Sequence, residues 1–230
     1  MLLDNRLSIG VRSQLYRLSA VGIVFLGGLF VTDLRGSAGL SQAAAAEPAA
    51  PARKAEGSTR LGYVGEISDD KRSLGGSGHA IAFHRPAEAK YLATVQIYAS
   101  RYGMPPPPRE DFNAYVLDKD KKVIHEFLFP YSIFTRGPQK WINLHVPPIE
   151  VPEEFFIALS FHPHQTKGIY LGLDKNVEQS HSFIGLPGEG FQPVPEKYDW
   201  MVRAVLVSDP SKVKVRKGPN VGRRVELATE

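Results

Sequence analysis

Cysteine is absent from this 230-residue chain, which removes disulfide frameworks, thiolate metal sites and cysteine nucleophiles together. Helical periodicity is missing as well: no stretch repeats apolar residues at three- and four-residue spacing for long enough to make an amphipathic helix. There is no Gly-Lys-Ser/Thr phosphate loop, and the glycines from Gly185 to Gly190 lead into no helix signal, so nothing suggests nucleotide phosphate binding. Gly75-Gly76-Ser77-Gly78-His79 superficially follows a hydrolase serine, but the nucleophile elbow needs glycine where His79 stands. A permissive turn ahead of a strand explains those glycines. No pair of carboxylates is nominated for glycoside hydrolysis, because the diagnostic there is a separation in space.

Charge is present but unevenly placed. Lys212, Lys214, Arg216, Lys217, Arg223 and Arg224 crowd the C-terminal tail, and Arg6, Arg12, Arg17 and Arg35 outweigh Asp4 and Asp33 at the other end. Residues 47–210 hold 18 basic and 20 acidic side chains, so the net +4 of the chain does not imply a nucleic-acid face on its folded part.

Arg12 and Arg17 precede the apolar run Leu18–Val31 (LSAVGIVFLGGLFV), a basic n-region and a hydrophobic region of signal-peptide length. Spanning a bilayer takes about 20 apolar residues, and this run is shorter. Small-residue cleavage sites follow at Gly36-Ser37-Ala38 and Ala44-Ala45-Ala46. Residues 1–46 are therefore expected to be a signal peptide or an N-terminal anchor, which would put the body of the protein outside the cytoplasm: secreted, periplasmic or at the cell surface. Residues 47–60 (EPAAPARKAEGSTR) read as an Ala/Pro-rich linker. Residues 209–230 read as a basic disordered tail, which with the N-terminal segment would supply any membrane contact.

The remaining residues, 61–208, carry strand signals at short intervals. Tyr91, Ala93, Val95, Ile97 and Ala99 recur with a period of two, as do Phe155, Ile157, Leu159 and Phe161, and again Trp200, Val202, Ala204 and Leu206; each set would share one sheet face. Further strands are expected over 62–67, 79–84, 112–117, 123–129, 140–146, 169–173 and 182–186. Asp118-Lys119-Asp120-Lys121 suggests a hairpin, while Pro147-Pro148 and Pro105–Pro108 suggest extended loops. The pattern predicts an all-β fold, an antiparallel two-sheet β-sandwich of jelly-roll type.

Four features in order carry a resemblance: the Trp141 strand (KWINLHVP), the Val151–Leu159 lead-in (VPEEFFIAL), the Gly168–Asp174 turn (GIYLGLD) and the closing Asp199–Ala204 (DWMVRA). Together they resemble the galactose-binding-like, carbohydrate-binding-module type of jelly-roll modules found in secreted proteins of Planctomycetes and Bacteroidetes, often beside peptidases or adhesins. The resemblance covers about residues 62–208. It implies an accessory or adhesive module without catalytic apparatus or agreed ligand residues. No segment of this sequence reads as the usual partner domain.

Two sets of candidate site residues follow from the pattern. Outward positions of the strands hold Thr94, Gln96, Tyr98, Ser160, His162 and Arg203; with Tyr102 of the Arg101–Met104 loop, Gln96, Tyr98, His162 and Arg203 suit a glycan, because a ring stacks on a sugar's apolar face while amides and guanidinium address hydroxyls. His162-Pro163-His164, with Asp174 and His181, has the residue types of a metal site, since residues two apart in extended backbone point the same way. That would suit a cupin-like metal enzyme, although the glutamate expected after the histidines is replaced by Gln165-Thr166-Lys167. Asp174, Asn176 and Glu178 alternate in a way compatible with a structural Ca2+, and an Asx turn is the simpler alternative. The sequence favours a non-catalytic module without cofactor that binds a glycan, another envelope component or an extracytoplasmic protein; an envelope-tethered protein-interaction scaffold and a metal-dependent enzyme are the alternatives.

Overall fold

The computed structural model describes residues 57–214 and 216–227; the expected leader and the first part of the linker lie outside the described residues. Strands form where β-branched and aromatic side chains alternate with polar ones, because one side of such a strand can be buried while the other meets water. Fourteen strands result among the described residues, in two seven-stranded antiparallel sheets. The first sheet holds β1 (Ser58–Leu61), β2 (Asp70–Arg72), β4 (Tyr91–Gly103), β7 (Lys140–Glu150), β9 (Lys167–Asp174), β12 (Asp199–Trp200) and β13 (Val202–Val207). The second runs β11 (Gly190–Pro193), β10 (Ser182–Leu186), β3 (His79–His84), β8 (Glu154–Ser160), β5 (Asp111–Asp118), β6 (Val123–Pro130) and β14 (Arg223–Val225). The chain is the expected two-sheet sandwich. No described helix is long and apolar enough to cross a membrane.

The core lies between the sheets. Val95, Ile97 and Ala99 of β4 and Val202, Ala204 and Leu206 of β13 meet Phe112, Phe127, Phe129, Phe155, Ile157 and Leu159 of the other sheet, with Trp200 fully buried among them. Each large apolar side chain buried this way contributes about 1.5–3 kcal/mol. Thirteen-residue β4 is the spine of the first sheet: β13 and then β9 pair with it in succession, and β7 pairs along it as well.

Five expectations differ from the structure for identifiable reasons. Residues 62–67 form a loop rather than a strand, because the Arg203 guanidinium draws the carbonyls of Val64 and Gly65 to itself. The linker ends earlier than expected, since Ser58–Leu61 pairs with β13. Pro147 and Pro148 lie inside β7 rather than in a loop. Opposite them the register between Leu92 and Thr94 slips, so missing proline N–H groups fall where the ladder is already broken. At the same point β4 carries one extra residue, Ala93, against β13, and this one-residue slip puts Leu92 in the core in place of Tyr91 and Ala93.

The fifth difference is the tail. Beyond β13, Asp209 accepts from the N–H and hydroxyl of Ser211 and caps a short 3-10 turn, Pro210–Lys212. The chain then runs beside β7, where His145 N–H donates to Asn220 and Gly222 N–H donates to His145. It ends as β14 against β6, with Arg223 paired to Asp111. Backbone pairing, which composition does not reveal, orders this charged segment.

Candidate functional site

The outer face of the first sheet carries Gln96, Tyr98 and Arg203 of the residues expected to meet a glycan, and over Arg203 that face is covered by the protein's own chain. Gln96 and Arg203 are register partners, and Tyr98 lies opposite Trp141. Arg203 is only 4% exposed. Its guanidinium stacks 3.9 Å from the Trp141 ring centroid and donates to Val64, Gly65 and the Glu66 carboxylate. That bonding holds the Glu66 carboxyl below its usual range. Trp141 Nε1–H donates to the Glu66 carbonyl, and Ser68 bonds Gln139. Loop 62–69 therefore lies over this face. Gly62 is required beneath it, because a Cβ there would come 2.7 Å from Arg203 Cγ.

Gln96 donates to Asn143 across the strand pair. Tyr102 lies further along β4, its ring against Gly168 and Tyr170 and its hydroxyl donating to the His164 carbonyl. His162 belongs to the other sheet's surroundings: its Nε2 lies 2.7 Å from Asn113 Oδ1 of β5. The five expected ligand residues are thus spread over three places and engaged with protein partners.

The metal candidates do not converge either. Residues two apart share a direction only in extended backbone, and His162 has φ +43°, which breaks the alternation. His164 Nδ1 accepts from the Thr166 N–H at 3.3 Å. Asp174 spends one oxygen on Gly65 N–H at 2.7 Å and the other on Asn176 N–H at 2.8 Å, an Asx turn, while the Asn176 amide donates to Asp69. His181 stacks on Tyr63 at 3.6 Å and places Nδ1 3.0 Å from Asp199. Among the described residues no three His, Asp or Glu side chains gather as metal ligands.

Asp199, unremarked in the sequence beyond its place in the closing strand, is the organising carboxylate of this region. It is fully buried and accepts from His181 N–H at 2.6 Å and from the Ser182 hydroxyl at 2.8 Å. Ser182 in turn accepts from Trp200 N–H. The network ties β10 to β12 across the end of the sandwich, where burial without partners would be costly.

An open concavity lies further along the same outer face, between β4, β7 and β13 and the C-terminal tail. It has a volume of about 740 Å3, within the ordinary range of ligand sites. Its floor is Ala93 and Thr94 of β4, Val205 and Val207 of β13, and His145 to Pro148 of β7; the tail contributes Asp209, Lys212, Val213, Lys214 and Arg216. The floor is apolar because the one-residue slip of β4 against β13 turns Ala93 outward and because β13 places Val205 and Val207 on the face opposite its core residues. Lys212, Lys214 and Arg216 are exposed, and Asp209 is the one acid lining the groove among the described residues. His145 is bonded to Thr94 at 3.0 Å, and partial burial, then the nearby Arg216, push its pKa down.

One signal of this groove was present in the sequence. The outward valines of β13 were a visible signal, since apolar side chains on both faces of a strand mark a covered outer face. The tail, though, was expected to be disordered, so nothing was expected to cover them.

No protein-family model matches the chain, and no curated protein is significantly similar to it.

Proposed function

We propose that the chain is an exported, non-catalytic sandwich module that binds a component of the cell envelope in the groove between the first sheet and the tail. The groove carries this reading: it is a ligand-sized concavity with an apolar floor and a cationic rim, on a domain whose folded part is otherwise slightly acidic. The Leu18–Val31 segment supports export, and the resemblance to secreted accessory modules supports a binding role without a reaction. With Arg203 and Trp141 under loop 62–69, the emphasis moves from a bare sugar stacked on a sheet face to an envelope component that has apolar and anionic parts.

Co-sedimentation with purified envelope material tests the reading. Wild-type protein should pellet with it, and Ala93→Trp, which fills the floor, should not. Equal pelleting of both would remove the groove from the account.

A second reading, a protein-interaction scaffold, has its own observation. Tyr115, Val123, Phe156, Phe183 and Phe191 form a half-buried apolar patch on the outer face of the second sheet, with Lys121 Nζ 5.0 Å from the Phe183 ring centroid. Phe183→Glu should then abolish co-purification of a partner while leaving envelope binding intact.

A further inference from the structure

The charge and shape of the groove go further than an unspecified envelope component. The geometry points to an anionic single-chain amphiphile as the ligand: an acyl chain laid along Ala93, Val205, Val207 and Val221, with a carboxylate or phosphate head among Lys212, Lys214 and Arg216. This inference rests on the groove being the binding site and names what it takes.

Three observations carry it. The first is segregation: the floor supplied by β4, β7 and β13 offers methyl groups and proline rings, and cations are confined to the tail that forms the opposite wall. A ligand in contact with both must itself be apolar on one part and anionic on another. The second is the charge balance. Three cations line the wall against Asp209, and Asp209 is already committed, accepting from Ser211 twice and standing 3.8 Å from Lys212. Neither Lys214 nor Arg216 has an acidic partner within salt-bridge distance among the described residues, so an incoming anion meets exposed, uncompensated charge. The third is size. About 740 Å3 has room for one chain and its head.

The valines also explain why a neutral sugar is a poor fit. The groove's polar floor groups are few, and Thr94 and His145 already bond each other, which leaves little to match a ring of hydroxyls. An acyl chain asks only for removal of its surface from water.

Titration of the full folded domain with monomeric dodecanoate, decanoate and dodecyltrimethylammonium, followed calorimetrically, decides the matter. Dodecanoate should bind, decanoate about fifteenfold more weakly because two buried methylene groups are lost, and the cationic analogue at least about tenfold more weakly than dodecanoate. Ala93→Trp should abolish binding. Lys212→Glu, Lys214→Glu and Arg216→Glu combined, all at exposed positions that leave the core untouched, should erase the preference for the anion while keeping the dependence on chain length. A parallel arm uses phosphatidylglycerol vesicles to separate a captured monomer from adsorption to a lipid surface. Binding to vesicles alone, chain-length independence, or equal affinity for the cationic analogue would each overturn the proposal. If dodecanoate fails while envelope pelleting stays sensitive to Ala93→Trp, the ligand class is wrong and the groove stands. If pelleting is insensitive too, both fall.

Discussion

Acidification should weaken this fold through one histidine, and the amount can be worked out. His79 is 2% exposed, its Nε2 lies 3.3 Å from the Arg72 carbonyl, and its ring sits edge-on to Trp200 at 4.6 Å. Burial drives its pKa from 6.5 down to about 4, so the ring is neutral in the folded state over the range where the unfolded chain takes up a proton. The sign follows: stability is complete above pH 6.5 and is lost as pH falls toward 4, where the folded state protonates as well. Across that window the loss is about 3 kcal/mol, a large part of the roughly 5–15 kcal/mol available to a domain. Urea unfolding at pH 7 and pH 4, read from Trp200 fluorescence in a Trp141→Phe background, measures it. His79→Phe keeps the ring contacts and removes the titration, so wild type should lose about 3 kcal/mol more than this variant. Equal losses in the two proteins would refute the assignment, as would an NMR-titrated His79 pKa near 6.5.

Other perturbations follow from the same structure. Asp199→Ala strands the His181 N–H and the Ser182 hydroxyl; a destabilisation of about 3 kcal/mol is expected, seen as a melting temperature lower by about 6–12 °C, and a change under about 2 °C would contradict the network's role. Arg203→Met removes the donors that hold Val64 and Gly65, so loop 62–69 should exchange amide hydrogens faster while β4 and β13 stay protected. Gly103 has φ +93° and a Cβ there would stand 2.1 Å from the Thr166 carbonyl oxygen; Gly103→Ala should therefore lower stability by more than about 1 kcal/mol in urea unfolding.

Much of the sandwich was legible because alternation reports burial directly. The residue sets of Phe155–Phe161 and Trp200–Leu206 are the core residues the structure shows. The phase of β4 was not legible over its first residues, since a one-residue slip reverses faces without altering composition. Short partner-dependent strands such as β1 and β14 exist only because an edge was waiting for them. The histidine cluster misled for a local reason: a single left-handed residue, His162, redirects a motif whose geometry depends on extended backbone. Arg203 was identified as an outward residue, yet outward on a sheet is not the same as solvent-facing when a loop of the same chain lies across it.

The central claim is that ligand enters under the tail, and a hydrogen-exchange footprint tests it most directly. Envelope material added to the protein should slow exchange at Val205–Val207, His145 and Lys212–Lys214, leaving loop 62–69 and the Phe156–Phe183 patch unchanged. Protection appearing over Arg203 or over the second sheet's outer face, with none in the groove, would contradict the account.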